Sequence, residues 1–315
     1  MLSVAITSHA FLRGSGKWSE GLHAIIGPSG SGKTTLMRLL AGLGQQGPTI
    51  EFGSAIWQND SHSVPPYLRP IAYVPQHPSL IPFRTVRHQI SWVMTPSAYT
   101  HVSSWAERLE IASLLDRHPR ALSGGQQQRV AILRALATGQ PVLLLDEALS
   151  QVEDRLRQQC LEWFKRERPV AWLFYSTHRL EEALEFGDTL TVIHDGYIYS
   201  PSAPSQLLND PPNQEIALML GYRGSLRLAD HRYVLLHPAR LLAGAYPELG
   251  LVHPARVDIC PLYPSLGTHW TITSGGDNPV TWEWDLPQYP HTRSASAITI
   301  IHPTCVSYSL NGKEA

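Results

Sequence analysis

The sequence predicts an α/β fold through about residue 215, followed by a small all-β domain. Short apolar runs alternate with stretches of helical periodicity, which is typical of a sheet covered by helices. Two of these runs, "PVLLLDEA" and "PVAWLFYSTH", are almost wholly apolar, as in parallel strands buried on both faces. Beyond residue 220, brief strand-like runs separated by turn residues favour a β domain with barrel-like character.

The first element that organises the chain is a strand followed by a glycine-rich turn. Leu22–Ile26 predicts a short apolar strand that runs directly into "GPSGSGKTT". From Thr34, leucines recur at spacings of three and four as far as Leu43, which predicts a helix. Gly42 and Gly44 are expected to end it.

The middle of the chain is predicted to be mainly helical. Ile71–Val74 predicts another strand, and residues 82–137 follow with helices at 104–115 and 126–137. Parallel strands are expected to dominate the sheet. In "TLTVIHDGYIY", Asp195-Gly196 predicts a hairpin turn.

A proline- and serine-rich stretch, "SPSAPSQLLNDPPNQ", indicates a connector between two domains. We expect the first domain to span residues 1–215, with a helical part at about 77–137, and the second to span 220–315. The strands expected in the second domain are Tyr233–Leu236, Ala255–Ile259, Trp270–Ile272, Val280–Trp284 and Ala297–Ile301, with a turn at Gly275-Gly276.

Composition disfavours several classes of protein. The formal net charge is −1, so a nucleic-acid partner is not expected. Cys160, Cys260 and Cys305 share no metal-ligand spacing, which favours idle thiols in a reducing compartment. The amino terminus lacks the pattern of a signal peptide, and no apolar run approaches the roughly 18 residues that a membrane span needs. The sequence therefore predicts a cytoplasmic chain whose membrane partners, if any, are separate subunits.

The glycine-rich turn has the GxxxxGKT pattern of a P-loop, between a strand and a helix as the pattern requires. Its glycines let backbone N–H groups approach phosphate oxygens closely, and the following helix adds its positive dipole end. Lys33 is predicted to reach the β- and γ-phosphates, and the Thr34 hydroxyl to ligate Mg²⁺. The predicted ATP-binding residues of this turn are Gly27, Pro28, Ser29, Gly30, Ser31, Gly32, Lys33, Thr34 and Thr35.

Two acids follow the most apolar strand. Asp146 and Glu147 come directly after Leu143–Leu145, at the sheet edge where α/β proteins bind ligands. Asp146 is predicted to hold Mg²⁺, directly or through water, and Glu147 to act as general base on the attacking water.

The stretch "LSGGQQQR" distinguishes this chain from other P-loop proteins. Ser123 fits a helix N-cap, and Gly124 and Gly125 expose backbone N–H groups, which predicts a second anion site. With the P-loop, Gln76 after "YVP", "LLLDEA" and "STH" at 176–178, the chain resembles the ATP-binding cassette (ABC) ATPases in the order and approximate spacing of five motifs.

This resemblance implies further roles. It implies that Gln76 links Mg²⁺ and the attacking water to the helical part, and that His178 contacts the γ-phosphate. It also implies a head-to-tail dimer, in which each ATP lies between the P-loop of one copy and the signature stretch of the other. The signature residues that would contact ATP are Ser123, Gly124, Gly125 and Gln126.

Two positions depart from the family pattern. Relatives carry an aspartate where this chain has Glu153, which leaves contacts between the subunits there open. Relatives also place an adenine-stacking aromatic well upstream of the P-loop. Here Phe11 and Trp18 are the candidates. For each of them, a role in packing is favoured over a role in stacking on adenine.

The segment "PPYLRPIAYVPQHPSLIPFRTVR" and the compact amino terminus are most similar to molybdate-importer ATPases. The resemblance implies an ATPase subunit at the cytoplasmic face of the membrane, with permease subunits and, indirectly, a solute-binding protein. Iron(III), sulfate and polyamine importers, and an ATP-dependent regulator, remain alternatives. A DNA-repair ATPase should have a long coiled coil and a translation factor a second cassette, and neither pattern is present. The cargo and the role of the β domain stay open.

Overall fold

The structure of the chain is a computed structural model. It describes residues 1–6, 11–44, 47–209 and 211–221, together with eight strands between residues 223 and 308. The chain divides into two compact units, residues 1–204 and 205–315.

Ten strands of the first unit, within its described residues, form one sheet. They are β1 Leu2–Ile6, β2 Arg13–Trp18, β3 Gly21–Ile26, β4 Thr49–Phe52, β5 Ala55–Gln58, β6 Ile71–Val74, β7 Val142–Leu145, β8 Trp172–Ser176, β9 Thr189–His194 and β10 Tyr197–Ile198. Their order is β5-β4-β1-β2-β10-β9-β3-β8-β7-β6. Strands β9, β3, β8, β7 and β6 are parallel neighbours, as the sequence predicts.

The expectation of a mostly parallel sheet is wrong for the other half. Strands β5, β4, β1 and β2 pair antiparallel, and β10 returns from the Asp195-Gly196 hairpin to join the two halves. The antiparallel strands are hard to predict because β2 reads "RGSGKW", with no apolar alternation. Its Gly16 is needed because the ring of Trp18 covers the position that a Cβ would occupy.

Helices cover this sheet and form a separate helical part. They are α1 Lys33–Leu40, α2 Val86–Val93, α3 Pro96–Arg108, α4 Gly124–Ala137, α5 Asp154–Glu167 and α6 Leu180–Phe186, and three-residue 3₁₀ turns lie at Pro66–Leu68, Ala112–Leu114 and Pro119–Ala121. None of the helices in the described part of the chain is long and apolar enough to cross a bilayer.

The helix predicted at 104–115 is wrong at both ends. Helix α3 begins at Pro96, a residue suited to the first helical turn, and ends at Arg108. Glu110 then adopts a φ of 50°, and the N–H of Ile111 bonds the Ala106 carbonyl at 2.9 Å. This is a Schellman motif, which usually has glycine at the residue with positive φ. Because residue 110 is a glutamate, the sequence pattern does not mark the end of the helix, and the prediction is wrong there.

Where the structure describes it, the second unit contains two short helices followed by two antiparallel sheets. Helix α7 Pro204–Asn209 lies within the predicted connector, and helix α8 Gln214–Met219 begins at its last residue. The strands are β11 Arg223–Arg227, β12 Tyr233–Leu236, β13 Leu241–Ala243, β14 Gly250–Tyr263, β15 Gly267–Ser274, β16 Thr281–Leu286, β17 Ser294–Ile301 and β18 Val306–Tyr308. They form a three-stranded sheet, β11-β12-β18, and a five-stranded sheet, β13-β17-β14-β15-β16. The turn predicted at Gly275-Gly276 lies outside the described residues.

Of the three cysteines, only Cys160 lies where side chains are described. It is buried, and burial raises the pKa of its thiol to about 12, as expected of an unreactive thiol.

The register of the parallel strands brings their carboxyl ends to one level. Ile25 of β3 pairs with Ser176 of β8, while Tyr175 of β8 pairs with Leu145 of β7. Leu145 in turn pairs with Val74 of β6. The residues that follow these strands therefore emerge side by side at a single edge of the sheet, and every loop with a predicted catalytic residue starts there.

A fully buried histidine on β3 generates a prediction about acid stability. The His23 Nε2 lies 2.9 Å from the Ser19 carbonyl, which only accepts, so Nε2 carries the hydrogen and Nδ1 accepts from the Thr189 hydroxyl. Burial lowers the pKa of His23 to about 4 from an ordinary value of 6.5. Above pH 6.5 both folded and unfolded states hold a neutral ring, and between pH 6.5 and 4 only the unfolded state takes up the proton.

We therefore expect the free energy of unfolding to fall between pH 6.5 and 4, with His23 contributing about 1.4 kcal/mol per pH unit. His23→Gln removes this contribution, so its urea midpoint should fall less steeply with acid than that of the wild type. Parallel pH curves for the two proteins would contradict the assignment.

Candidate nucleotide-binding site

The P-loop lies between β3 and α1, as predicted. Gly32 caps α1 with a φ of 114°, and a Cβ there would clash with the side chain of Leu12, so glycine is required. No side chain caps this helix, which leaves the first-turn N–H groups directed at the loop. A helix start of this kind attracts anions.

Lys33 lies within this loop rather than in solvent. Its side chain is 5% exposed, and Nζ donates to the carbonyls of Gly27 and Pro28 at 2.9 and 3.0 Å. Burial lowers the pKa of Lys33, and the nearby Glu147 and Asp146 oppose the shift. The hydroxyl of Ser31 is also buried and has no hydrogen-bond partner among the described residues. A buried orphan hydroxyl and an ammonium held by carbonyls fit a loop whose natural partner is a phosphate group.

Asp146 is buried at the end of β7 and accepts three hydroxyl hydrogen bonds. Thr34 and Ser176 donate to Oδ1, each at 3.0 Å, and Tyr73 donates to Oδ2 at 3.0 Å. Burial, followed by the neighbouring Asp146 charge, raises the pKa of Tyr73, so the phenol stays a donor. Thr34, Asp146 and the nearby Gln76 supply hard oxygen ligands, and this donor set fits Mg²⁺.

Glu147 is the point on which the other predicted catalytic residues converge. Gln76 Nε2 donates to its Oε2 at 2.9 Å, and the Nδ1 of His178 lies 3.6 Å from its Oε1. Lys33 Nζ lies 3.9 Å from the same Oε1. The backbone of Glu147 has a φ of 49°, and its N–H donates to the Ser176 hydroxyl at 2.8 Å. A non-glycine residue in this conformation is strained, which is common at functional sites.

The signature stretch lies apart from this cluster. Ser123 caps α4 in a capping box with Gln126, and Ser123 itself is exposed. In the part of the chain that the structure describes, no hydrogen bond or ion pair joins residues 123–126 to the P-loop. The structure thus brings together the P-loop, Asp146, Glu147, Gln76 and His178, but leaves Ser123, Gly124, Gly125 and Gln126 outside that group.

The two aromatic candidates for the nucleobase differ. Trp18 is 1% exposed, and its Nε1 donates to the Thr191 hydroxyl at 3.0 Å, so it is a packing residue as interpreted from the sequence. Phe11 is 76% exposed, which overturns its interpretation as a packing residue. It precedes Leu12, the side chain that packs against Gly32 of the P-loop.

Sequence reasoning missed two contributors to the site. In the sequence, Tyr73 stands within a predicted strand and Ser176 within the "STH" motif, and neither is predicted as a site residue. Each lies on a strand beside β7, near its carboxyl end. A hydroxyl at that end of a neighbouring strand is the signal that points to a partner for Asp146.

A P-loop at the end of one parallel strand, with Asp-Glu after a second strand two places along the same sheet, defines a nucleoside-triphosphate-binding protein of the P-loop class. The family model described as ABC transporter matches residues 18–150. The sulfate/thiosulfate import ATP-binding protein CysA of Pseudomonas syringae pv. tomato is 34% identical over 276 residues, 82% of either chain. The chain belongs to the ABC transporter ATP-binding family.

Other relatives match over shorter segments. The molybdenum import ATP-binding protein ModC of Saccharophagus degradans is 34% identical over 199 residues, 61% of this chain and 55% of that protein. The Fe(3+) ions import ATP-binding protein FbpC of Pseudomonas fluorescens is 35% identical over 240 residues, 72% of this chain and 64% of that protein. The match thus spans less than two thirds of either relative.

Solved structures share the fold. A bacterial Atm1-family ABC exporter with ATP bound matches with a TM-score of 0.55 and 28% identity, over 69% of this chain and 41% of that chain. An ATP-binding subunit of an ABC transporter matches with a TM-score of 0.57 and 20% identity, over 66% of this chain and 91% of that chain.

The hydrogen bond from Tyr73 to Asp146 can be tested without nucleotide. Tyr73→Phe removes one of three donors to a buried carboxylate, and we expect the free energy of unfolding to fall by about 1.5–3 kcal/mol. Tyr99→Phe, at an exposed tyrosine, is the matched control and should change it by less than ~0.5 kcal/mol. Urea denaturation of both variants measures the difference, and equal effects would refute the assigned role of Tyr73.

Proposed function

We propose that this chain is the ATP-hydrolysing subunit of an ABC importer, which energises uptake of a small solute through separate membrane subunits. The observation that carries the proposal is the convergence of Lys33, Gln76 and His178 on the Glu147 carboxylate, one residue from Asp146. A P-loop alone needs only to bind nucleotide. A carboxylate held beside it by three polar groups fits hydrolysis.

In this proposal the residues of the site divide the work of phosphoryl transfer. The N–H groups of residues 30–34 and the Lys33 ammonium hold the β- and γ-phosphates and stabilise the charge that develops there. Thr34, Gln76 and Asp146 would hold Mg²⁺, which when bound supplies positive charge to the phosphate oxygens. Glu147 accepts a proton from the attacking water. His178 lies on the same side and orients the terminal phosphoryl group.

We infer that a second copy of the chain completes the site. Ser123 and the N–H groups of Gly124 and Gly125 lie at a helix start that is exposed at Ser123 and Gly124 and has no described bond to the P-loop of its own chain. Such a start favours an anion. In a head-to-tail dimer it would meet the γ-phosphate bound to the other copy, so ATP binding closes the dimer and hydrolysis releases it.

Docking on membrane subunits is supported by an apolar surface on the helical part. Phe83 and Trp92 are exposed, and the guanidinium of Arg84 lies 6.0 and 5.5 Å from their ring centroids. Large exposed aromatic groups beside a cation are typical of interaction surfaces. We propose that a permease subunit covers this surface, which would hold the chain at the cytoplasmic face of the membrane.

For the cargo we propose an oxyanion such as molybdate, supplied by a solute-binding protein. The three relatives named above are named for the import of sulfate/thiosulfate, molybdenum and Fe(3+) ions. Iron(III), sulfate and polyamine import, and an ATP-dependent regulator, remain the alternatives that the sequence leaves open. We further propose that the strands beyond residue 220 form a small barrel-like regulatory domain, and that residues 1–215 form the ATPase domain.

We propose Phe11 as the aromatic group that stacks on adenine, because it is exposed next to the residue that packs on the P-loop. Stacking of a base on an aromatic ring contributes about 1–3 kcal/mol. Phe11→Ala should therefore weaken ATP binding about fivefold or more in titration calorimetry, while Phe11→Tyr should bind as the wild type does. Equal affinity of the alanine variant and the wild type would remove Phe11 from the site.

The proposed function predicts Mg²⁺-dependent ATPase activity of the purified chain, alone or with its membrane partners. Glu147→Gln keeps the shape of the side chain but removes the base, so we expect at least a hundredfold loss of turnover with ATP binding retained. The variant should accumulate as an ATP-bound dimer in size-exclusion chromatography. Normal turnover by Glu147→Gln would show that another group is the base, and an inactive wild type would overturn the function itself.

A further inference from the structure

One glutamine outside the predicted site joins two of its loops. Gln128 lies on α4, five residues after Ser123, and its side chain is fully buried. Its Nε2 donates to the backbone carbonyl of Gln76 at 3.2 Å, and its Oε1 accepts from the backbone N–H of Gln151 at 3.1 Å. A single amide thus holds one loop through its donor and another through its acceptor.

Both loops flank Glu147. Gln76 bonds the Glu147 carboxylate directly, through its own side chain at 2.9 Å. Gln151 lies in the loop of residues 148–153, which directly follows Glu147. Gln128 therefore restrains the region around Glu147 from two directions, although it does not touch Glu147.

The first turn of α4 packs against the same loop. A Cβ on Gly125 would lie 2.6 Å from the Gln151 carbonyl oxygen, and one on Gly124 would clash with the Gln151 side chain. Such close packing transmits a displacement instead of absorbing it. A shift at the start of α4 is therefore passed to residues 148–153 by contact and to Gln76 by the Gln128 amide.

A second buried glutamine, Gln89, serves for comparison with Gln128. Gln89 is 1% exposed, and its side chain bonds the backbone of Ile81 and Arg84, a few residues before it in the chain. Arg134 of α4 also donates to the Gln89 Oε1 at 3.5 Å, but no described hydrogen bond joins Gln89 to Gln76, Glu147 or Gln151. Gln128 instead spans 52 residues to Gln76 and 23 residues to Gln151.

We propose that Gln128 is a positioning residue, through which the signature helix sets the placement of Gln76 and Glu147. The inference rests on the proposed function. In the closed dimer, nucleotide held by the other copy contacts residues 123–126 of α4. Gln128 lies on that same helix and links this contact to the base of its own copy, so each copy hydrolyses ATP efficiently only when its signature helix is engaged.

The test compares Gln128→Met with Gln89→Met. Methionine keeps the length of the glutamine side chain but makes neither hydrogen bond, so both variants lose a buried amide. We expect ATP turnover of Gln128→Met to fall at least tenfold, because small misplacements in an active site have large effects, while the affinity for ATP stays within twofold. Gln89→Met should keep turnover within twofold of the wild type, and thermal unfolding of both variants reports any loss of stability.

A second measurement does not depend on hydrolysis. Hydrogen exchange of the Gln151 amide should be faster in Gln128→Met than in the wild type, and unchanged in Gln89→Met, which leaves the acceptor of that amide in place. If the amide of Gln128→Met exchanges at the wild-type rate, or if Gln89→Met loses as much turnover, the inference is wrong. If the wild-type chain has no ATPase activity, the proposed function itself is overturned. The role of Gln128 in positioning the base then falls as well.

Discussion

The buried carboxylate of Asp146 is the interaction on which the nucleotide-facing edge depends. A buried charge is costly unless it is well satisfied, and here three hydroxyls satisfy it. They come from Thr34 at the start of α1, Tyr73 on β6 and Ser176 at the end of β8, so one carboxylate ties the P-loop helix to the strands on either side of β7. The level register of the parallel strands makes this possible, because only strands that end together bring these hydroxyls within 3 Å of one residue.

The strain at Glu147 follows from its place after Asp146. Strand β7 ends at Leu145, Asp146 points into the hydroxyl cluster, and the next residue turns sharply with a φ of 49°. The Ser176 hydroxyl holds that turn, since it accepts from the Glu147 N–H while donating to Asp146. The turn presents the Glu147 carboxylate to Gln76, Lys33 and His178. The turn at Glu147 thus accounts both for the backbone strain and for the convergence of polar groups on its carboxylate. The hydrogen bonds of Ser176 hold this turn in place.

Sequence reasoning reached those parts of the molecule that short-range patterns determine. The strand, P-loop and helix around Lys33, the apolar strands before Asp146 and His178, and the hairpin at Asp195-Gly196 were all predictable from local chemistry. The antiparallel strands were not, because β2 is shaped by packing of Trp18 on Gly16 and not by alternation of apolar residues. Nor was the end of α3, where Glu110 takes a conformation that usually signals glycine. The partners of Asp146 and the bonds of Gln128 were missed for a third reason, since each joins residues that are distant in the chain.

The two glycines of the signature stretch show how intramolecular packing and ligand binding act on the same atoms. Glycine at 124 and 125 lets backbone N–H groups approach an anion, and this is the reason that the sequence pattern offers. The structure adds a second reason, because Gln151 occupies the space that a Cβ at either position would need. Gln151 therefore fills the inner side of a helix start whose Ser123 cap remains exposed. A larger residue at 125 would meet the Gln151 carbonyl and push the loop after Glu147 away even before any nucleotide meets that surface, whereas at 124 it meets only the end of the Gln151 side chain. A substitution at Gly125 thus disturbs the loop beside the chain's own base as well as the face that the chain offers to a second copy.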